Sequence, residues 1–244
     1  MGDVDWSMYA RQYDLMADNN PAYQEILAHC LDTFAACNYE PGAIIADFGA
    51  GTGNFSIALA RKLPQVVVLH VESSPEMIRV AQGKALHAGI KNWSVWQRDL
   101  ESADWGLPEL SGAVTVHALY ALNEPEMAIR KIIQSVEHGG LIYACDLGRV
   151  LDVRDWAKYL LCCAVRKHGI SGAIRLFMQS WIIRNQNMEI AESQRKKKYW
   201  THTLAEFKAV FEREGVNISY AADRFYRGYD DLIIGNKSVK GLCG

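Results

Sequence analysis

The chain has 244 residues, of which 50% are hydrophobic and 22% charged, and its net charge is -2. This composition excludes a disordered or collagen-like chain, and 26 basic against 28 acidic residues give no global nucleic-acid signature. The longest apolar run of the C-terminal half, Tyr159 to Val165, is far short of the roughly 18 residues a membrane-spanning helix needs.

The first residues, Met-Gly-Asp-Val-Asp-Trp, have neither the basic nor the apolar region of a secretory signal, which predicts a cytoplasmic chain with reduced thiols. The six cysteines are Cys30, Cys37, Cys145, Cys162, Cys163 and Cys243. No pair has C-x-x-C spacing and no His follows at a zinc-finger interval, so no metal site is expected. They read as small buried hydrophobes.

Residues 5–37 carry apolar side chains at helical spacing, interrupted at Asn19-Asn20-Pro21, which predicts two helices. Pro41-Gly42 is a turn. The apolar run Ala43 to Phe48 is a short strand, and a glycine cluster leads to a helix from Phe55 to Leu63 that Pro64 ends. Val66 to Val71 is a second strand, and Ser74 to Leu86 a second helix. Trp93 to Gln97 and Gly112 to Leu119 read as strands, Glu124 to Val136 as a helix, Gly139-Gly140 as a turn and Leu141 to Cys145 as a strand. Short apolar strands alternating with helices predict βαβ units, hence an α/β, doubly wound and mostly parallel sheet.

The last third differs. Residues 153–198 read as helical with a break near Gly169 to Gly172, and Ile174, Phe177, Met178, Trp181 and Ile182 form an amphipathic stripe. Thr203 to Gly215 is a helix with Thr203 as its cap and Glu206 completing a capping box. Val216 to Ala221 and Asp231 to Gly235 close the sheet as a hairpin, antiparallel to the rest. The expected organisation is one domain over 1–244, with helices at 1–40 covering the site and a helical insertion at 150–200.

The segment Asp47-Phe48-Gly49-Ala50-Gly51-Thr52-Gly53-Asn54 follows a strand and opens a helix. Such a turn presents backbone N–H groups and a helix N-terminus to an anionic group. The third glycine sits one position too early for G-x-G-x-x-G, and no Gly-Lys-Ser/Thr is present. The loop therefore suits something smaller than a dinucleotide pyrophosphate.

At this point the chain resembles the class I S-adenosylmethionine (SAM) dependent methyltransferases of the small-molecule type, along most of its length. Their first motif, an acidic residue, one apolar residue and G-x-G-x-G, is matched by Asp47 to Gly53. The resemblance implies a seven-stranded Rossmann-like sheet and a cofactor site at Asp47, Gly49, Ala50, Gly51, Gly53 and Asn54, with S-adenosylhomocysteine as product. It places the ribose on Glu72, 19 residues after Gly53, and on the adjoining Ser73. One carboxylate accepts both hydrogen bonds of a cis-diol. Met77 would pack on the adenine, Asp99 and Leu100 would hold its edge, and His117 would line the sulfonium region. Tyr9 and Tyr13, four residues apart in Tyr9-Ala10-Arg11-Gln12-Tyr13-Asp14, resemble the segment that closes over SAM, with Arg11 a further carboxylate contact.

Methyl transfer from a sulfonium needs alignment above all, and a base only where the acceptor must lose a proton. His117, at the end of the fourth strand, is the candidate base, with Tyr120, Asn123 and Tyr226 as acceptor-pocket candidates. Residues 153–200 hold ten basic and three acidic side chains, +7 in a chain of net charge -2. That segment fits a lid packed on the sheet, an anionic membrane surface, an anionic or lipid-like acceptor, or a carrier-protein partner. The fourth strand ends in His-Ala-Leu-Tyr instead of the Asn/Asp-Pro-Pro-Tyr of amino-directed nucleic-acid methylases, which argues against a nucleic-acid acceptor. Three functions fit: methyl transfer to a small biosynthetic metabolite, a non-methyl reaction of SAM such as aminocarboxypropyl transfer, and non-catalytic SAM binding at a membrane or partner.

Overall fold

A computed structural model describes residues 6–238, with the side chains at positions 6–9 and 11 outside that description. The elements run α1 Trp6–Asn19, α2 Pro21–Ala35, β1 Ile44–Phe48, α3 Asn54–Lys62, β2 Val67–Glu72, α4 Pro75–His87 and β3 Trp93–Gln97. They continue with β4 Leu110–Val116, α5 Pro125–Ser135, β5 Val136–Leu147, α6 Val153–Gln179, α7 Trp181–Arg195, α8 Leu204–Arg213, β6 Val216–Arg224 and β7 Asp230–Lys237.

The seven strands of the described residues form one sheet in the order β3-β2-β1-β4-β5-β7-β6. β1 to β5 pair in parallel, and β7 runs antiparallel to β5 and β6. The order reverses between β1 and β4, and a doubly wound sheet opens a crevice there, at the carboxyl ends of its strands. This is the Rossmann-like architecture that the strand–helix rhythm predicts.

Strand alternation divides the core in two. Ile45, Val68, Val114 and Tyr143 face α2 and α3, where Tyr23, Ile26, Cys30, Phe34 and Leu59 are buried. Ala46, Phe48, Leu69 and Ile142 face α5 and α8, with Ile129, Ile132, Phe207 and Phe211. Each fully buried large side chain of this kind stabilises by roughly 1.5–3 kcal/mol. Caps fix the helix starts. Asn20 accepts from Ala22 and Tyr23 N–H, Ser74 from Met77 N–H, and Thr203 and Glu206 form the predicted capping box.

Four expectations are corrected. The fourth strand stops at Val116 instead of Leu119, because His117 adopts φ +54° and turns the chain out of the sheet. Gly139-Gly140 lies within β5 as an irregularity of the ladder, where Leu110 pairs with Val136 and Gly112 already with Leu141. Cys162 is exposed, whereas Cys30 and Cys145 are buried; Cys243 lies outside the described residues. Finally, the 174–182 stripe does not face the sheet. Ile174, Phe177, Met178 and Trp181 are exposed. Gly169 (φ +70°, ψ 177°) breaks α6 as expected. Beyond it the buried face is the neighbouring one, Ala173 and then Ile183, and Ile183 packs with Ala10 and Met77 against α1 and α4.

Candidate functional site

Three clefts adjoin one another, the first two at the carboxyl ends of the strands and the third among helices. The first opens over β1, β2 and β3. It is lined by the turn Gly49-Ala50-Gly51, by Glu72 and Ser73 after β2, by Met77 of α4, and by Asp99 and Leu100 after β3. Asp47, Tyr13 and His117 close its inner end. These are eleven of the fourteen cofactor positions expected from the sequence.

Of the other three, Gly53 and Asn54 line a separate groove beside Ile57 and Lys84. Asn54 Nδ2 donates to the Tyr23 hydroxyl, and Lys84 Nζ donates to Asn54 Oδ1. Gly53 (φ +83°) caps α3 through its backbone. The motif's last residues thus build the turn and tether it to α1, since Asp14 accepts from both Thr52 and Lys84. Tyr9 lies in α1 with its side chain outside the described residues, as does that of Arg11. The sequence reading missed Tyr23, Phe55, Ser74 and Arg98, which also line the cleft. Tyr23 is remote in sequence, and its signal was one apolar position on α2.

Glu72 organises the cleft's mouth. Its Oε2 accepts from Gly51 N–H at 2.8 Å, and its Oε1 accepts from Ser73 and Ser74 N–H at 2.9 Å each. The Ser73 hydroxyl adds a long fourth contact to Oε1 at 3.4 Å; a carboxylate has about four lone-pair directions, so a ligand hydroxyl would take the place of that weak contact.

Gly49 and Gly51 both have positive φ, but for different reasons. A Cβ on Gly49 would sit 2.4 Å from Ala118 Cβ, whereas one on Gly51 would meet nothing within 4 Å. Gly51→Ala should cost only the left-handed backbone penalty, about 1–2 kcal/mol. Gly49→Ala should cost distinctly more, because Ala118 cannot yield without moving the β4 end. Denaturant unfolding of the two variants checks this. Equal losses would mean that the contact relaxes freely.

Asp47 is 2% exposed, and its Oδ2 has no hydrogen-bond partner among the described residues. Burial, with the Glu72 charge added and partly offset by Ser56 N–H, pushes its pKa up from 3.8 to about 7. A folded pKa above the unfolded one means that the contribution of the protonated group is complete below pH 3.8 and lost as pH rises to about 7. Asp47→Asn should therefore stabilise the ligand-free protein at pH 8, by roughly 2 kcal/mol or more. A pH series of unfolding midpoints that stays parallel for the two proteins would refute this.

The second cleft begins at His117 and Tyr13, which also line the first. His117 Nε2 lies 2.6 Å from Asp230 Oδ2, with the carboxylate fully buried at the start of β7. Burial alone would lower the imidazole pKa. Asp230, with Asp146 behind it, outweighs that and raises it above 6.5. The Nε2 contact leaves Nδ1 as the second ring nitrogen. Cys145 Sγ also donates to Asp230 Oδ2.

The β6–β7 turn supplies the opposite wall. Arg224, Tyr226 and Arg227 all have positive φ, a strained arrangement that suits a positioned side chain better than a free loop. Tyr226 lies 4.7 Å from the His117 ring and 4.6 Å from Trp156, centroid to centroid, and its hydroxyl accepts from Asn20 Nδ2 at 2.7 Å. Tyr120 lines the same cleft and meets Tyr199 edge-on. Asn123 does not reach it, because its amide donates to Glu101. Trp156 Nε1 is buried with no partner among the described residues.

The chain is similar to known proteins. A methyltransferase-domain family model matches residues 45–140, which span β1 to the start of β5. Residues 45–140 carry a methyltransferase domain. Carboxy-S-adenosyl-L-methionine synthase of Nautilia profundicola is 28% identical over 133 residues, 52% of this chain and 54% of that one. Release factor glutamine methyltransferase of Escherichia coli is 39% identical over 59 residues, 24% of this chain and 21% of that one. The chain thus spans between about a fifth and about half the length of these relatives. In fold it is similar to magnesium protoporphyrin IX methyltransferase from Synechocystis, solved with bound S-adenosylhomocysteine: TM-score 0.60 at 16% identity, covering 98% of this chain and 90% of that one.

The cofactor of this family is SAM, and the first cleft fits it. The unpartnered Asp47 oxygen suits an ammonium group, Glu72 can exchange its long Ser73 hydroxyl contact for a ligand hydroxyl, and the open space at Gly51 admits a ligand against the backbone.

Proposed function

We propose that this protein transfers the methyl group of SAM to a small-molecule acceptor held in the second cleft. The observation that carries this reading is that one side chain, His117, lines both clefts and is fixed by a buried carboxylate. Glu72 would hold the ribose hydroxyls, Met77 the adenine face, Asp99 the adenine amino group, and Asp47 with the Gly49–Gly51 backbone the amino-acid end. SAM supplies an electrophilic methyl group on a sulfonium that is its own leaving group.

The chain's own residues do the rest. Tyr13 and Tyr23, edge-to-face at 6.2 Å, wall the junction of the clefts and exclude water. Asp230 holds the imidazole in one orientation, and His117 Nδ1 takes the proton of an acceptor hydroxyl, amine or thiol. Trp156 Nε1 donates to an oxygen of the acceptor. Helices α1 and α2 at residues 1–40, and α6 and α7 within 150–200, act as covers of one SAM-binding unit, closing over cofactor and acceptor respectively.

The similarity to carboxy-SAM synthase keeps a second reading, a non-methyl reaction of SAM at the same site. Some relatives are named for protein or ribosomal RNA substrates. The narrow aromatic lining at Tyr226, Trp156 and Tyr120 favours a small molecule over those. Product analysis decides the reaction: S-adenosylhomocysteine supports methyl transfer, and methylthioadenosine supports loss of the aminocarboxypropyl group.

A further inference from the structure

Beyond Trp156 the second cleft continues into a third. The two share Met16, Val153, Trp156, Leu160 and Asn187 as common walls. The third cleft runs between α1, α6 and α7. Its chemistry differs sharply from that of the other two. Leu161, Ala164, Ala173, Leu176, Phe177 and Ile183 supply its surface, and no carboxylate is among the residues that line it. The small residues Ala164 and Ala173 are buried against it, 5% and 1% exposed, and leave room that larger side chains would fill. One cation stands at its edge: Arg184, whose guanidinium lies 3.6 Å over the Phe177 ring.

The polarity along this row of cavities is therefore graded. Hydrogen-bonding groups lie at the His117 end (His117, Asp230 and the unpartnered Trp156 N–H), and aliphatic groups at the far end. A wholly polar acceptor would leave the aliphatic end filled with poorly bonded water. A molecule with a polar head and a hydrocarbon chain satisfies both ends at once. We propose that the third cleft is the binding site for the hydrocarbon tail of an amphipathic acceptor whose nucleophilic head sits at His117.

The placement of the head rests on the methyl-transfer reading, whereas the tail site stands on the cavity alone. Leu161 and Phe177, two of the lining residues, are themselves partly exposed, so the cleft is open to solvent on the α6 side.

Straight-chain carboxylic acids from hexanoate to tetradecanoate, titrated calorimetrically below their micelle concentrations, test the site. Kd should fall about three- to fourfold per added methylene, then level off once the cleft is filled. Affinity independent of chain length would overturn the proposal. Ala173→Trp should fill the cleft and weaken tetradecanoate at least tenfold while leaving hexanoate unchanged. Leu176→Trp, at a half-buried position more tolerant of bulk, should do the same should the first variant fail to fold. Unaltered tetradecanoate binding in a folded variant would also overturn it. S-adenosylhomocysteine titrated into the same preparations separates the two readings. Chain-length dependence without adenosylhomocysteine binding would support the tail site and sink the methyltransferase reading. Adenosylhomocysteine binding without chain-length dependence would do the reverse.

Discussion

Glu72→Ala should lower SAM affinity by roughly 1.5–3 kcal/mol, or about ten- to a hundredfold, through loss of a charged acceptor for the ribose diol. The structure adds a complication that the sequence did not reveal. The same carboxylate accepts from Gly51, Ser73 and Ser74 N–H, so its removal leaves three backbone donors at the cleft mouth without their partner. Part of any loss would then come from a loosened turn. A ligand lacking the ribose hydroxyls isolates the direct contact. The dideoxyribose analogue of S-adenosylhomocysteine should bind wild type and Glu72→Gln with similar affinities, while the parent ligand distinguishes them. If the variant weakened both ligands equally, Glu72 would be a scaffold of the loop and the ribose assignment would be wrong.

His117→Gln should reduce turnover by 10²–10⁴-fold if the acceptor loses its proton to the imidazole, with SAM affinity little changed. Asp230→Asn gives the sharper test, because Asp230 is a positioning residue buried away from both ligands. The carboxylate holds the His117 pKa above 6.5, so activity that needs the neutral ring should rise with pH above the ordinary imidazole range. Removing the carboxylate charge should move that limb to lower pH and reduce the plateau. A merely structural Asp230 would lower the plateau without shifting the limb. The linked stability runs in the opposite direction to the activity. A raised imidazole pKa means that the pair's contribution is complete below pH 6.5 and lost as pH rises through the folded value.

Much of this was legible in the sequence wherever local chemistry decides structure. The runs 43–48 and 66–71 are too apolar and too short for anything but buried parallel strands, and with 93–97, a half-exposed strand at the sheet edge, they became β1, β2 and β3 within a residue or two. Pro64, Ser74 and the Thr203–Glu206 pair marked helix ends through the backbone groups that they remove or satisfy. The Asp47–Gly51 part of the glycine motif indicated the first cleft because a positive-φ turn after a strand has few other uses.

What stayed hidden depends on distance or on packing. Asp230 is 113 residues from His117, and nothing local to Tyr-Asp-Asp links it to an imidazole. Tyr226 reaches the second cleft through a turn in which three non-glycine residues, Arg224, Tyr226 and Arg227, have positive φ, which no propensity anticipates. The 153–198 segment was read correctly as helical, but the face that it buries depends on α1 and on the break at Gly169. An amphipathic period alone is silent on which of two adjacent stripes meets a partner.

The most direct test of the account is a calorimetric titration of the wild-type protein and of Gly51→Val with S-adenosylhomocysteine. The side chain of Gly51 would enter the open space of the first cleft, clear of protein atoms. The account predicts one site per chain with micromolar affinity in the wild type, and no detectable heat in a variant that still unfolds cooperatively. Wild-type protein that fails to bind, or a folded Gly51→Val that binds as tightly, would contradict the placement of the cofactor on the β1–α3 turn.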